Sequence, residues 1–105
     1  MPSYKIVRHR GVADDLLDIA FLIVDYAGVE VALRTIDEIE TSIGKLAAMP
    51  HVGSLRHNIT EGLRAIPAAD KAVICFVVDD ELSEVRIMAI GNAGSDWVSE
   101  TTART

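Results

Sequence analysis

The chain has 105 residues, half of them apolar and 25% charged, with a mean hydropathy of +0.26 and a formal net charge of −6. That composition excludes a disordered chain, a fibrous repeat and a disulfide-built mini-protein, and the length fits a single domain with its own core. An acidic total also suits general nucleic-acid binding poorly, because phosphate contacts rest on Lys and Arg. No apolar run reaches the ~18 residues of a membrane span, and no signal-like stretch follows the early bases Lys5, Arg8 and Arg10. With the single Cys75 suiting a reducing compartment, a cytoplasmic location and no membrane partner are expected.

In chain order, Tyr4–Arg10 predicts an extended segment that ends at Gly11. From Val12 to Ala27, Leu16, Ile19, Ala20, Ile23, Val24 and Ala27 recur at helical spacing, with Asp14, Asp15 and Asp18 in the early turns, where the helix dipole favours acids. Gly28 is a natural stop. Ala32, Ile36, Ile39, Ile43 and Leu46 then trace the seam of a second helix, closed by Pro50 and Gly53. So short a break makes the two helices a hairpin.

After Pro50 the period becomes strand-like. Gly62–Pro67 reads as a short strand and Ala68–Asp70 as a turn. Ala72–Val78 is an apolar run suited to a central strand buried on both faces. Glu84–Ile90 alternates, with Val85, Ile87 and Ala89 opposed to Arg86 and Met88. Gly91 and Gly94 bracket a loop, and residues 99–105 are expected to fray. The fold class is therefore α+β, in the order β-α-α-β-β-β: a helical hairpin on one face of a small, mostly antiparallel sheet, with one domain over residues 1–98.

Little in the chain carries catalytic chemistry. His9, His51 and His57 lack partners at metal-ligand spacing, so no metal or other cofactor is expected, and His51 and His57 read as solvated. Cys75, inside an apolar strand, reads as an inert core thiol. Ser54 beside His57 lacks the sharp turn that exposes a nucleophile, and Gly91–Gly94 is not a phosphate loop. The segment 11–49 holds eight acids against Arg34 and Lys45, and these acids read as a solvated face. The basic residues stand out: Arg8, Arg10, Arg64 and Arg86 on predicted strands, and Arg56 and Lys71 in flanking loops. A row of them on an open sheet face would grip phosphate or a partner's carboxylates; ordinary solubilising charge is the alternative.

These residues also carry a family resemblance. Ala13–Ile19 in the first helix, the Ala32…Leu46 seam, Pro50-His51-Val52-Gly53-Ser54-Leu55-Arg56, Gly62-Leu63-Arg64, and the Val85-Arg86-Ile87…Ile90 strand ahead of Asp96 together resemble the RelE/ParE superfamily of type II toxin–antitoxin toxins, closest to its ParE-like branch. The resemblance spans about residues 4–97. It implies a growth-arresting toxin that binds and poisons DNA gyrase without chemistry of its own, silenced by a ParD-like antitoxin. Arg8, Arg10, Arg56, Arg64, Arg86 and Trp97 are then the residues expected to contact antitoxin or target. The chain departs from the family at Lys71, where an aromatic is usual, and at Ala72, Ala93 and Ser95, where the ribosome-dependent members carry cleavage groups. A metal-independent endoribonuclease of the RelE type and a decayed toxin that only binds antitoxin are the alternatives.

Overall fold

In the computed structural model, which describes residues 3–92 and 95–104, the elements run β1 (Lys5–Arg8), α1 (Val12–Ala27), α2 (Val29–Lys45), β2 (Ser54–Leu55), β3 (Leu63–Ala68), β4 (Ala72–Asp79), β5 (Glu84–Gly91) and α3 (Trp97–Arg104). Gly28 alone separates the first two helices. Its φ of +93° is open to glycine without steric penalty, so the chain reverses in one residue and the helices must pair. Their apolar stripes, Val12, Ile19 and Ile23 on α1 and Ala32, Ile39 and Ile43 on α2, bury against Ile74, Phe76, Val85, Ile87 and Ile90 of the sheet. Each large aliphatic side chain buried in this way contributes roughly 1.5–3 kcal/mol.

The five strands lie in the order β1-β5-β4-β3-β2, so the apolar run of β4 is the central strand. Three pairings are antiparallel, and β1 joins β5 in parallel because the hairpin and three strands intervene before the chain returns. This is the α+β architecture expected, with one small edge strand, β2, that its two-residue length hid. The second helix ends at Lys45, ahead of Pro50, and β1 at Arg8, ahead of Gly11.

Two expectations are corrected. The alternation of β5 breaks at a bulge: Phe76 faces Ile87 and Cys75 faces Ala89, leaving Met88 as the extra residue. Ala89 therefore joins Leu63 and Cys75 on the side away from the helical hairpin, and Ile90 takes the inner position. Residues 99–104, expected to fray, are helical. They form most of α3, whose Thr101 is fully buried and whose Arg104 bonds Asp15. Thr105 and Ala93 lie outside the described residues.

Candidate functional site

The six candidate residues fall in three places. Directly opposed residues of neighbouring strands share a face, so Arg8, opposite Ile87, points to the helical side. There its guanidinium forks onto both carboxylate oxygens of Glu40 on α2, with Nη1 donating at 2.9 Å. The bond to Glu40 raises the pKa of Arg8, and the same bond lowers that of Glu40. Both side chains are more than a third exposed, so water screens the pair and its worth is about 0–1 kcal/mol. Exposed Arg10 stands beside it. Together they close one end of a groove floored by Leu16, Ala20 and Ile36 between the two helices.

Arg64, opposite Phe76, is also on the helical side, at the margin. It donates to the carbonyl of His51 at 3.2 Å and so braces the loop that leads into β2. In that loop His51 is not simply solvated. Its Nε2 lies 2.8 Å from Asp80 Oδ1, which also accepts the Tyr4 hydroxyl at 2.7 Å. The Tyr4 bond, with a smaller contribution from His51, holds the Asp80 carboxyl below its usual range; the same carboxylate raises the Tyr4 phenol. This cluster ties the start of β1, the α2–β2 loop and the β4–β5 turn at one end of the sheet.

Arg86, opposite Val77, is on the outer face and is engaged by Glu84 at 3.4 Å and, more loosely, by Asp79 at 3.9 Å. Arg56 is exposed at the end of β2, its backbone N–H donating to Leu63 at 2.7 Å. Trp97 packs over Gly91, where an added Cβ would meet its ring atom Cγ at 2.4 Å. Of the two readings of the strand arginines, the open row is not what the register gives: Arg8 and Arg64 lie on the helical side and Arg86 on the outer face. The centre of the outer face is apolar, with Leu63, Cys75 and Ala89 packed against Trp97 and Ile59. Cys75 is fully buried, and desolvation pushes its thiol up to about 11, a rise tempered by the Thr101 hydroxyl.

The helical acids are likewise not uniformly solvated. Asp15 is only 7% exposed and paired with Arg104, and Glu40 is paired with Arg8. Missed altogether were the exposed apolar residues of the hairpin: Leu17 and Phe21 of α1 and Leu33 of α2. Their signal was available, since an apolar residue lying off a helix's own seam faces away from its core. A wedge of about 360 Å³ also opens under the free end of the hairpin, between Leu22, Tyr26 and Val31 and the turn residues Asp70 and Lys71.

No curated protein matches the chain by sequence. Among solved structures it is similar to a chromosomal ParDE toxin–antitoxin system of P. aeruginosa (TM-score 0.74, 22% identity, covering 88% of this chain and 98% of that one). It is also similar to a double arginine-to-alanine mutant of the E. coli toxin RelE in the free state (TM-score 0.67, 11% identity, 97% and 96% covered). A third likeness is to the RelBE2 toxin–antitoxin complex of Mycobacterium tuberculosis (TM-score 0.56, 17% identity, 90% and 97% covered). At these identities the likenesses establish the fold. The family model for the ParE toxin of the type II toxin–antitoxin system parDE matches residues 6–97, nearly the whole fold from β1 to the start of α3, and the chain belongs to that family.

Proposed function

We propose that this toxin acts in the cytoplasm by binding, with DNA gyrase as its target, and that a ParD-like antitoxin neutralises it. The observation that carries the choice of binding over cleavage is the packing of the outer sheet face. Metal-independent RNA cleavage needs cationic groups to stabilise the phosphorane and an acid to protonate the leaving oxygen. Leu63, Cys75 and Ala89 under Trp97 offer neither, and Arg86 is already held by Glu84. Exposed Arg56 at the margin leaves a lone cation with no general acid bonded beside it among the described residues. The net charge of −6 favours the same reading, because docking on ribosomal RNA would meet repulsion.

The antitoxin reading rests on family membership and on the hairpin groove, an open apolar channel of the kind an amphipathic helix fills. Pulse labelling in the minutes after induction without antitoxin tests the whole proposal. DNA synthesis should fall first while protein synthesis continues. An early fall of protein synthesis with cleaved messages would replace it with the RelE-type nuclease, and no fall of either, with soluble protein present, with a decayed toxin.

A further inference from the structure

The outward surface of the helical hairpin is apolar where a lone domain would be polar. Phe21 and Leu33 are each 67% exposed and Leu17 53%. Leu17, Phe21 and Val24 recur at four- and three-residue spacing on the side of α1 turned away from Ile19 and Ile23, and Leu33 lines the same groove as Leu17 from α2. A contiguous stripe of this kind marks a docking surface for another helix.

Along α1 its border carries one sign of charge. Asp14, Asp18 and Asp25 each lie three or four residues from Leu17 or Phe21, hence next to them on the helix surface, and α1 contains no Lys or Arg. Glu30 and Asp37 stand in the same relation to Leu33 on α2, where the exposed Arg34 lies between them, so the uniform edge is that of α1. All five are exposed, and none is in an ion pair among the described residues. The cations Arg8 and Arg10 sit only at the end of the groove next to β1, and Arg8 is spent on Glu40. A second copy of the chain is disfavoured as the occupant, because two such faces would set carboxylate against carboxylate.

We propose that this face receives a cationic amphipathic helix of a partner protein. Its apolar side chains fill the Leu17–Phe21–Leu33 stripe, and a row of Lys or Arg along one edge meets the carboxylates of α1. The proposal rests on the antitoxin reading and gives the docking segment its chemistry. Charge complementarity of this sort selects the partner and speeds encounter, and salt weakens it.

The test uses the full chain and two labelled helical peptides of about 20 residues with identical leucine faces, one edged with Lys and Arg, the other with Glu. Anisotropy titrations should show the cationic peptide binding at least about tenfold tighter at about 0.05 M salt, with the gap closing towards 0.5 M. The combined Asp14→Asn, Asp18→Asn, Asp25→Asn variant should remove that preference while still melting cooperatively, slightly lower than the parent because early-turn acids favour the helix dipole. Phe21→Ser should weaken both peptides. Equal or tighter binding of the Glu-edged peptide overturns the proposal. So does a preference that survives the triple variant, or self-association through Phe21 that the cationic peptide cannot displace. Rescue of growth by a co-expressed antitoxin is scored separately. An antitoxin that neutralises parent and triple variant alike overturns the charge proposal and leaves the antitoxin reading intact. Cationic-peptide binding with no antitoxin able to rescue growth does the reverse.

Discussion

Arg104 and Asp15, 89 residues apart in the chain, meet as a two-pronged ion pair of 2.6 and 3.0 Å beside the edge of β5. The parallel pairing with β1 runs only to Arg8, and the His9 N–H adds one more bond, to Ile87. Past that point β5 has no strand neighbour on this side. Asp15 Oδ2 accepts the Ile90 N–H at 3.0 Å, and Arg104 Nη1 donates to the Met88 carbonyl at 3.1 Å. One side-chain pair thus satisfies the backbone groups that a longer β1 would have covered, at positions where an unpaired buried group would be costly.

Replacing Arg104 by Ala strands a carboxylate that is nearly buried. Removing one partner of such a pair costs about 3–5 kcal/mol when burial is complete, and Arg104 is somewhat more exposed than Asp15, so a loss of about 2–4 kcal/mol is expected in urea unfolding. Asp15→Asn should cost less, because the amide oxygen still accepts from Ile90. A double-mutant cycle on the two positions should show strong coupling; simple additivity would dissociate the pair from stability.

The seating of α3 depends on the missing side chain at residue 91. Gly91→Ala places a methyl within 2.4 Å of Trp97 Cγ, so the indole must move, at about 1–3 kcal/mol for an overpacked site. Trp97 is the one tryptophan of the chain, and its fluorescence should shift to the red as it becomes wetter. An unshifted spectrum would mean that α3 does not rest on β5.

Cys75 should be silent in the native protein. With its thiol pushed up to about 11 by burial, it should resist an aromatic disulfide reagent at pH 8 and react only as fast as the chain opens. Arg104→Ala, by loosening α3, should speed that reaction about tenfold for every ~1.4 kcal/mol of stability lost.

The clasp of Tyr4, His51 and Asp80 sets a pH window. A lowered Asp80 pKa means that its stabilisation is present above the ordinary carboxylate range and is lost as pH falls through the folded value. The raised Tyr4 pKa works the other way: its contribution is present below the ordinary phenol value of 10.0 and is lost as pH rises past it. Because one bond causes both shifts, Asp80→Asn should flatten both sides of a melting-temperature profile. Tyr4→Phe should flatten the alkaline side and leave on the acid side only the smaller contribution of His51. A profile identical to the parent's in both variants would show the cluster to be energetically idle.

Among the candidate contact residues, the scatter of the arginines separates two outcomes. Arg8→Ala, which frees the Glu40 carboxylate, and Arg10→Ala remove cations from the groove end and should tighten affinity for a cationic antitoxin helix several-fold. Arg56→Ala and Arg86→Ala, on the outer face, should reduce toxicity with antitoxin affinity retained. Affinity assays and growth curves check the two independently, and unchanged values in all four variants would remove the arginines from both contacts.

What the sequence by itself determined was whatever depends on near neighbours. The helical hairpin follows from two apolar stripes and a glycine between them, and the central β4 from an uninterrupted apolar run, since period and turn chemistry are local properties. The tertiary structure decided whatever needs a partner far along the chain. Asp15 looks like its neighbours Asp14 and Asp18 until Arg104 arrives beside it. The residues after Val98 look polar and loose until Thr101 and Arg104 find β5 and α1. The bulge at Met88 exists only against β4, and it moves Ala89 to the outer face and Ile90 to the core. The strand arginines, similar on paper, separate because pleat and register assign each to a face. Only the packed molecule brings Glu40 to Arg8, whereas Glu84, which engages Arg86, is its near neighbour on the same strand and was legible in the sequence.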